Sequence, residues 1–200
     1  MKQILTIALA AILITGCTES KNYEIAYQVS ENDLIPEGIT YSEKTQCFYI
    51  SSILKTKIVQ IDARTGEFED FIPSDLLNRR FVGMMVDEQR NHLWACGNLR
   101  AKDVIYTSVC KFDVETRELI HAYHFPDTAG QLANDVAVDN EGNAYFTDSN
   151  NQHIYKIHAQ TDSIELFLES EQIKNPNGIT LSADCKYLFA ACYETGIRVI

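Results

Sequence analysis

One apolar motif recurs four times in this chain, and this internal repeat limits the possible folds more than any other feature. The copies read PEGITY (36–41), FVGMMV (81–86), ANDVAV (133–138) and PNGITL (176–181), and their starts are 45, 52 and 43 residues apart. A self-similar period of about 40 to 50 residues is typical of architectures that repeat one unit of secondary structure. The sequence therefore predicts four copies of such a unit.

Two fixed offsets within each copy support the repeat. If the residue before the apolar core is position zero, the four occupants are Glu37, Val82, Asn134 and Asn177. Position +5 is polar and opens a turn each time, at Ser42, Asp87, Asp139 and Ser182. Position +11 is apolar and lies in a second run, at Phe48, Leu93, Tyr145 and Leu188. Coincidence at two offsets in all four copies indicates one conserved unit of structure within the chain.

Each unit has the pattern of a four-stranded meander. The apolar runs are short, rich in β-branched and aromatic residues, and separated by turn sequences such as Asp139–Asn143. The third runs begin at Lys57, Ser108 and His153, and a fourth run follows each of them. Four-stranded units at this period predict an all-β fold, a β-propeller with blades that start near residues 36, 81, 133 and 176. The second unit is expected to carry a loop insertion near residues 97–106.

The fourth unit stops after residues 196–200, which leaves about 3.5 blades. A propeller protects its sheet edges by closing into a ring, commonly of four to eight blades, so an open arc would expose two edges. We therefore expect residues 34–200 to be a partial propeller, truncated from a longer ring. The alternative is a closed four-bladed ring in which residues 23–29 complete the last blade.

The first residues have the pattern of an export signal. Lys2 precedes an apolar run over residues 4–14, which is too short to span a membrane as a helix. The following residues, Ile14-Thr15-Gly16-Cys17, resemble the lipobox of bacterial lipoproteins. This resemblance implies a signal peptide over residues 1–16, a lipidated Cys17, and a tether over residues 17–33. The protein would then be anchored by lipid to a membrane of the bacterial cell envelope and face the periplasm or the exterior. An ordinary secretory signal is the alternative.

Charge and cysteine spacing exclude two classes of function. The chain has 17 Lys and Arg against 28 Asp and Glu, a net charge of −11, so nucleic acid is not an expected partner. The cysteines after Cys17 form no pair at CxxC spacing, which argues against a zinc site. Buried free thiols are the expectation for them, and one disulfide stays open.

The repeat also predicts where side chains converge. Blades are related by rotation about one axis, so residues at the same phase of the repeat lie on one ring. Position zero supplies Glu37, Asn134 and Asn177 to that ring, and Asp135 lies one residue further on. Carboxylate and carboxamide oxygens suit a hard divalent cation such as Ca²⁺ better than zinc or copper. The competing interpretation is that these side chains only stabilise turns.

Three segments resemble the gluconolactonase and regucalcin (senescence marker protein) family of six-bladed propellers. They are PEGI (36–39), ANDVAVD with AYFTD (133–139, 144–148) and PNGITLS with KYLF (176–182, 186–189). The resemblance covers roughly residues 34–200. It implies a divalent cation held by Glu37 and Asn177, with Asn134 on the substrate side or, as in paraoxonase-like propellers, also a ligand. It further implies hydrolysis of a small lactone or ester at that cation.

Two features of this chain depart from that family. The family's metal-binding Asp, its favoured general base, belongs to a blade beyond residue 200, and Asp135 is only a weak candidate to replace it. Many sugar lactonases carry Arg two residues before the Asn-Asp pair, where this chain has Leu132. The sequence therefore leaves two hypotheses: a lactonase-type hydrolase, and a non-catalytic propeller that serves as a binding scaffold at the cell envelope.

Overall fold

The computed structural model describes residues 24–101, 104–125 and 130–200, which form four antiparallel sheets. Blade 1 contains β1 (Pro36–Ser42), β2 (Cys47–Ser52), β3 (Lys57–Asp62) and β4 (Phe68–Ile72). Blade 2 contains β5 (Arg80–Asp87), β6 (His92–Ala101), β7 (Val104–Asp113) and β8 (Leu119–His124). Blade 3 contains β9 (Ala133–Val138), β10 (Ala144–Asp148), β11 (His153–Ile157) and β12 (Ile164–Glu169). Blade 4 contains β13 (Pro176–Leu181), β14 (Leu188–Cys192) and β15 (Gly196–Val199). A short helix, α1 (Ser74–Leu77), joins blades 1 and 2.

This arrangement confirms the predicted all-β propeller. Within each blade the strands pair in chain order, and the first strands of successive blades pack on one another: β1 on β5, β5 on β9, and β9 on β13. The first strands are therefore the inner ones, and the blades follow one another around a ring. Because β1, β5, β9 and β13 carry the repeated motif, equivalent repeat positions are brought to the same level of the inner wall.

The polar residues at position +5 stabilise the first hairpin of every blade. Each accepts a backbone N–H from its own turn: Ser42 from Thr45 at 3.3 Å, Asp87 from Gln89 at 3.1 Å, Asp139 from Glu141 at 2.9 Å, and Ser182 from Tyr187 at 3.1 Å. Short oxygen-bearing side chains are suited to this role because they reach backbone N–H groups two to five residues ahead in the same turn. The polar turn predicted at this offset is thus confirmed in all four blades.

Three apolar clusters fill the spaces between neighbouring blades. The cluster between blades 1 and 2 includes Tyr49, Phe71, Phe81 and Phe112, whose rings meet edge to face. A second cluster lies around Phe146, and a third joins blades 3 and 4 around Ile154 and Ile179. The opposite face of blade 4 exposes large apolar side chains, including those of Tyr187, Tyr193, Ile197 and Val199.

One expectation and one alternative from the sequence are wrong. The described residues 97–101 and 104–106 do not form a loop insertion, because β6 and β7 stay paired from Gly97 opposite Ser108 to Ala101 opposite Val104. The extra residues therefore lengthen a hairpin. Residues 24–29 form no strand, and Tyr27 packs against Phe48 of blade 1, which contradicts the alternative in which this segment completes blade 4. Tyr23 lies outside the described residues.

The expectations for the first residues concern a part of the chain outside the described residues. The predicted signal peptide, Cys17 and the beginning of the tether all fall within residues 1–23. Among the residues that are described, no helix is long and apolar enough to cross a membrane. The five cysteines that are described are all free thiols, and four of them are buried, as expected.

Candidate functional site

The position-zero residues of three blades meet at one cavity of about 270 Å³ on the inner wall. Its lining contains Glu37 from β1, Asn134 and Asp135 from β9, and Asn177 from β13. The rest of the lining consists of Gly38, Ile39, Gly83 and Met84. Residues separated by up to 140 positions in the sequence therefore share one site, as the repeat phase predicted.

Glycines next to position zero allow the inner strands to come this close. A Cβ on Gly38 would lie 2.5 Å from the Val82 carbonyl oxygen, and a Cβ on Gly83 would lie 2.5 Å from the Asn134 carbonyl oxygen. A side chain at either position would push neighbouring blades apart, so the absence of Cβ allows the close backbone approach. The small size of these residues keeps the oxygen-bearing side chains of adjacent blades around one cavity.

Buried hydroxyl groups on the second strands fix the backbone behind the site. Ser51 accepts the N–H of Gly38 at 2.7 Å. Thr147 accepts the N–H of Asp135 at 3.1 Å and donates to the carbonyl oxygen of Asn177 at 2.7 Å. Thr147 therefore connects the segments that carry the two asparagines. The sequence analysis assigned it no role, although a hydroxyl amid the apolar residues of a buried strand was the available signal.

The carboxylates at the cavity differ in their surroundings. Asp135 is engaged on both oxygens: Oδ1 accepts the N–H of Val136 at 2.9 Å, and Oδ2 accepts the N–H of Ile179 in blade 4 at 3.0 Å. Burial raises the pKa of Asp135, although these two hydrogen bonds favour its ionised form. Desolvation, and then the negative charge of Asp135, raise the pKa of Glu37.

The cavity thus concentrates negative charge and oxygen donors. Its described lining contains two carboxylates and two carboxamides, and it contains no Lys, Arg or His. Cys96 lies behind the site, where burial and then the charge of Asp135 raise the pKa of its thiol well above the usual value. A thiolate is therefore disfavoured there. In the described part of the chain, no three His, Cys, Asp or Glu side chains converge to hold a metal ion.

The donor chemistry of the cavity fits a hard divalent cation. Ca²⁺ takes carboxylate and amide oxygens, and a cation between Glu37 and Asp135 would relieve the repulsion that raises the pKa of Glu37. Glu37, Asn134 and Asn177 are the side chains that could hold it, while Asp135, each of whose oxygens accepts one backbone N–H group, would add negative charge beside it. The structure thus brings together all three residues that the sequence analysis selected as ligands; their ligation stays a prediction.

We expect Thr147→Val to destabilise the fold at this site. Valine keeps the volume but leaves the N–H of Asp135 and the carbonyl of Asn177 without their partner, and each unpaired buried group costs about 1–3 kcal/mol. Urea unfolding should show the loss. Thr161→Val, an exposed threonine in the same blade, is the control and should change stability by less than about 0.5 kcal/mol. Equal stability of the two variants would contradict the role of Thr147.

Solved structures confirm the propeller architecture. The hydrazine synthase of Kuenenia stuttgartiensis superposes with a TM-score of 0.65 at 18% identity over 90% of this chain and 49% of that one. The β-propeller domain of Cps50 (Swd1) from Myceliophteria thermophila gives 0.59 at 19% over 82% and 50%. A chain of the mitotic checkpoint complex gives 0.68 at 9% over 100% and 58%. The chain thus spans about half the length of these proteins, and at such identities the likeness concerns the fold alone.

The comparison with protein families is more specific. No curated protein matches the sequence at a significant level. The model of one family, described as the SMP-30/Gluconolactonase/LRE-like region, matches residues 35–195. This range includes all four inner strands and every residue that lines the cavity. The chain therefore belongs to the SMP-30/gluconolactonase/LRE-like family.

Proposed function

We propose that the cavity is a divalent-cation site, for Ca²⁺ in the first place, at which a small lactone or ester is hydrolysed. One observation carries the proposal: Glu37, Asn134 and Asn177, from three different blades, line the same cavity. Family membership supports the same class of function. Glu37 would supply the anionic ligand, and the two asparagines would supply neutral oxygens.

The lining also indicates the class of substrate. With a divalent cation bound, its two carboxylates would be offset, and no cationic side chain among the described residues would be left to bind a lactone that carries a free carboxylate. Leu132 stands where many sugar lactonases carry Arg, and it therefore offers no charge to a carboxylate. Met84 lines the cavity but is nearly buried in the core between blades 1 and 2, so the cavity surface is mainly polar. An uncharged lactone or ester is the substrate class that fits.

The residues of the chain would act mainly by binding and orientation. Hydrolysis adds water across the acyl C–O bond and yields a hydroxy acid from a lactone. A bound cation would supply Lewis-acid stabilisation of the oxyanion that develops at the carbonyl. Asn134 and Asn177 would hold the carbonyl end in place. The base that takes the proton from water is unassigned within this set.

The hydrogen bonds of Asp135 favour a second candidate, a cation-stabilised binding scaffold without catalysis. Both oxygens of Asp135 accept backbone N–H groups of blades 3 and 4, so this carboxylate has a structural role that requires no chemistry. Glu37, the other carboxylate of the described lining, is the proposed anionic ligand. A propeller with this cavity could bind an uncharged small molecule without hydrolysing it.

Cation binding itself can be tested by thermal unfolding. Ca²⁺ that binds only the folded state should raise the melting temperature, with a stabilisation of about 2.7 kcal/mol at 100 times the dissociation constant. We expect Glu37→Gln and Asn177→Ala to abolish this rise, because each removes a proposed ligand. Cys185→Ser should keep it. An equal response to Ca²⁺ in Glu37→Gln and the unmodified protein would remove Glu37 from the site.

A lactone assay separates the two candidates. The hydrolase proposal predicts that the full chain opens an uncharged lactone in Ca²⁺, that chelation stops the reaction, and that a lactone carrying a free carboxylate reacts more slowly. Release of acid can be followed with a pH indicator in weak buffer. The scaffold proposal instead predicts a rise in melting temperature with the lactone and no hydrolysis. Under the hydrolase proposal, Glu37→Gln should lose hydrolysis. Under the scaffold proposal, it should lose the rise in melting temperature that requires the cation.

We also propose that the site is held at the surface of a bacterial membrane through lipid on Cys17. Support comes from residues 1–17 alone, whose pattern resembles a lipoprotein signal. Labelled palmitate should enter the wild-type protein in bacterial cells, and Cys17→Ser should abolish the labelling while Cys185→Ser keeps it. Incorporation of label into Cys17→Ser at the wild-type level would contradict this anchor.

A further inference from the structure

The three junctions between neighbouring inner strands are built in two different ways. At the first two, the residue after position zero is a glycine, Gly38 or Gly83, whose missing side chain admits the next blade's backbone. At the third, the same repeat position is occupied by Asp135. Its carboxylate bridges to blade 4 by accepting the N–H of Ile179 at 3.0 Å. A charged side chain thus replaces direct backbone contact at this junction.

The bridge acts on the segment that carries Asn177. Ile179 follows Asn177 by two residues, and Thr147 holds the Asn177 carbonyl from the other side at 2.7 Å. The segment is therefore attached to blade 3 at two points on either side of Gly178. Asn134, next to Asp135 in the chain, belongs to the same connected unit. These contacts determine where the two carboxamides of the cavity lie relative to each other.

We propose that Asp135 is a positioning residue, which sets the spacing of Asn134 and Asn177 and thereby the affinity of the cavity for its cation. The inference rests on the cation site proposed above. The Asp135 carboxylate is held on its own blade by the N–H of Val136 at 2.9 Å, so it has a defined position from which to hold blade 4. Hydrogen-bond partners that orient ligands typically change metal affinity by about 10- to 100-fold when they are removed.

A glycine substitution can displace the carboxylate without changing any charge. In Gly83→Ala, the new methyl group would lie 2.5 Å from the Asn134 carbonyl oxygen and closer still to Oδ1 of Asp135. Asp135 and its neighbour must therefore move. The matched control is Gly178→Ala, where the added Cβ would meet Ala191 at 3.7 Å and Asp135 at 3.8 Å, both ordinary contacts.

Calorimetric titration of the full chain with Ca²⁺ then tests the proposal. Gly83→Ala should weaken binding by about 10- to 100-fold, as expected when support of a ligand is lost, and Gly178→Ala should leave the affinity unchanged. Asp135→Asn, which keeps the size but offers one oxygen instead of two, should weaken binding as well. Its control is Asp139→Asn, in the same blade, whose carboxylate accepts turn N–H groups outside the cavity. Unchanged affinity in both Gly83→Ala and Asp135→Asn would overturn the proposal.

Amide hydrogen exchange at Ile179 separates this inference from the cation site itself. Asp135→Ala should speed exchange of the Ile179 N–H, because the amide loses its side-chain acceptor, whereas Asp139→Ala should not. This measurement needs no cation and is made on variants whose melting curves show that they fold. If the unmodified protein bound no Ca²⁺, the cation site would fail and faster exchange would still support the bridge. Unchanged exchange at Ile179 would overturn the bridge whatever the Ca²⁺ result.

Discussion

The close approach of neighbouring inner strands is the constraint on which the rest of this structure depends. Gly38 and Gly83 face carbonyl oxygens of the next blade across gaps that no Cβ could enter. This spacing lets the apolar faces of adjacent blades meet, so that the side chains of Phe81, Phe112 and Phe146 are buried between them. A propeller built from short strands gains stability from such inter-blade burial, because each blade alone has too little core.

The same constraint creates the candidate site. When the inner strands are this close, the position-zero residues near their starts lie around one cavity and together set its chemistry. The cavity lining is acidic and rich in oxygen, because it contains the carboxylates of Glu37 and Asp135 and two carboxamides. Glu37 and Asp135 line the same cavity, and desolvation, followed by repulsion from the charge of Asp135, raises the pKa of Glu37. A bound cation would remove that repulsion, which links the packing of the ring to the proposed chemistry.

The sequence alone predicted the features that repeat and missed those that do not. Four copies of one motif were enough to predict the blades and to select Glu37, Asn134 and Asn177 as neighbours. The bridge from Asp135 to Ile179 could not be predicted, because it depends on a side chain that breaks the glycine pattern of its repeat position. The extra length of the second unit predicts a loop near residues 97–106, whereas cross-strand pairing extends β6 and β7 there, and long-range pairing of this kind cannot be recognised from the local sequence.

The most direct test of the account is a ¹H–¹⁵N spectrum of the full chain titrated with Mn²⁺, a paramagnetic cation that favours the same oxygen ligands as Ca²⁺. The account predicts that the amides of Gly38, Asp135 and Gly178, from three different blades, lose intensity together and that excess Ca²⁺ restores them. Loss of intensity confined to the exposed acidic segment 62–69, with the cavity amides unaffected, would contradict a cation site shared by the blades.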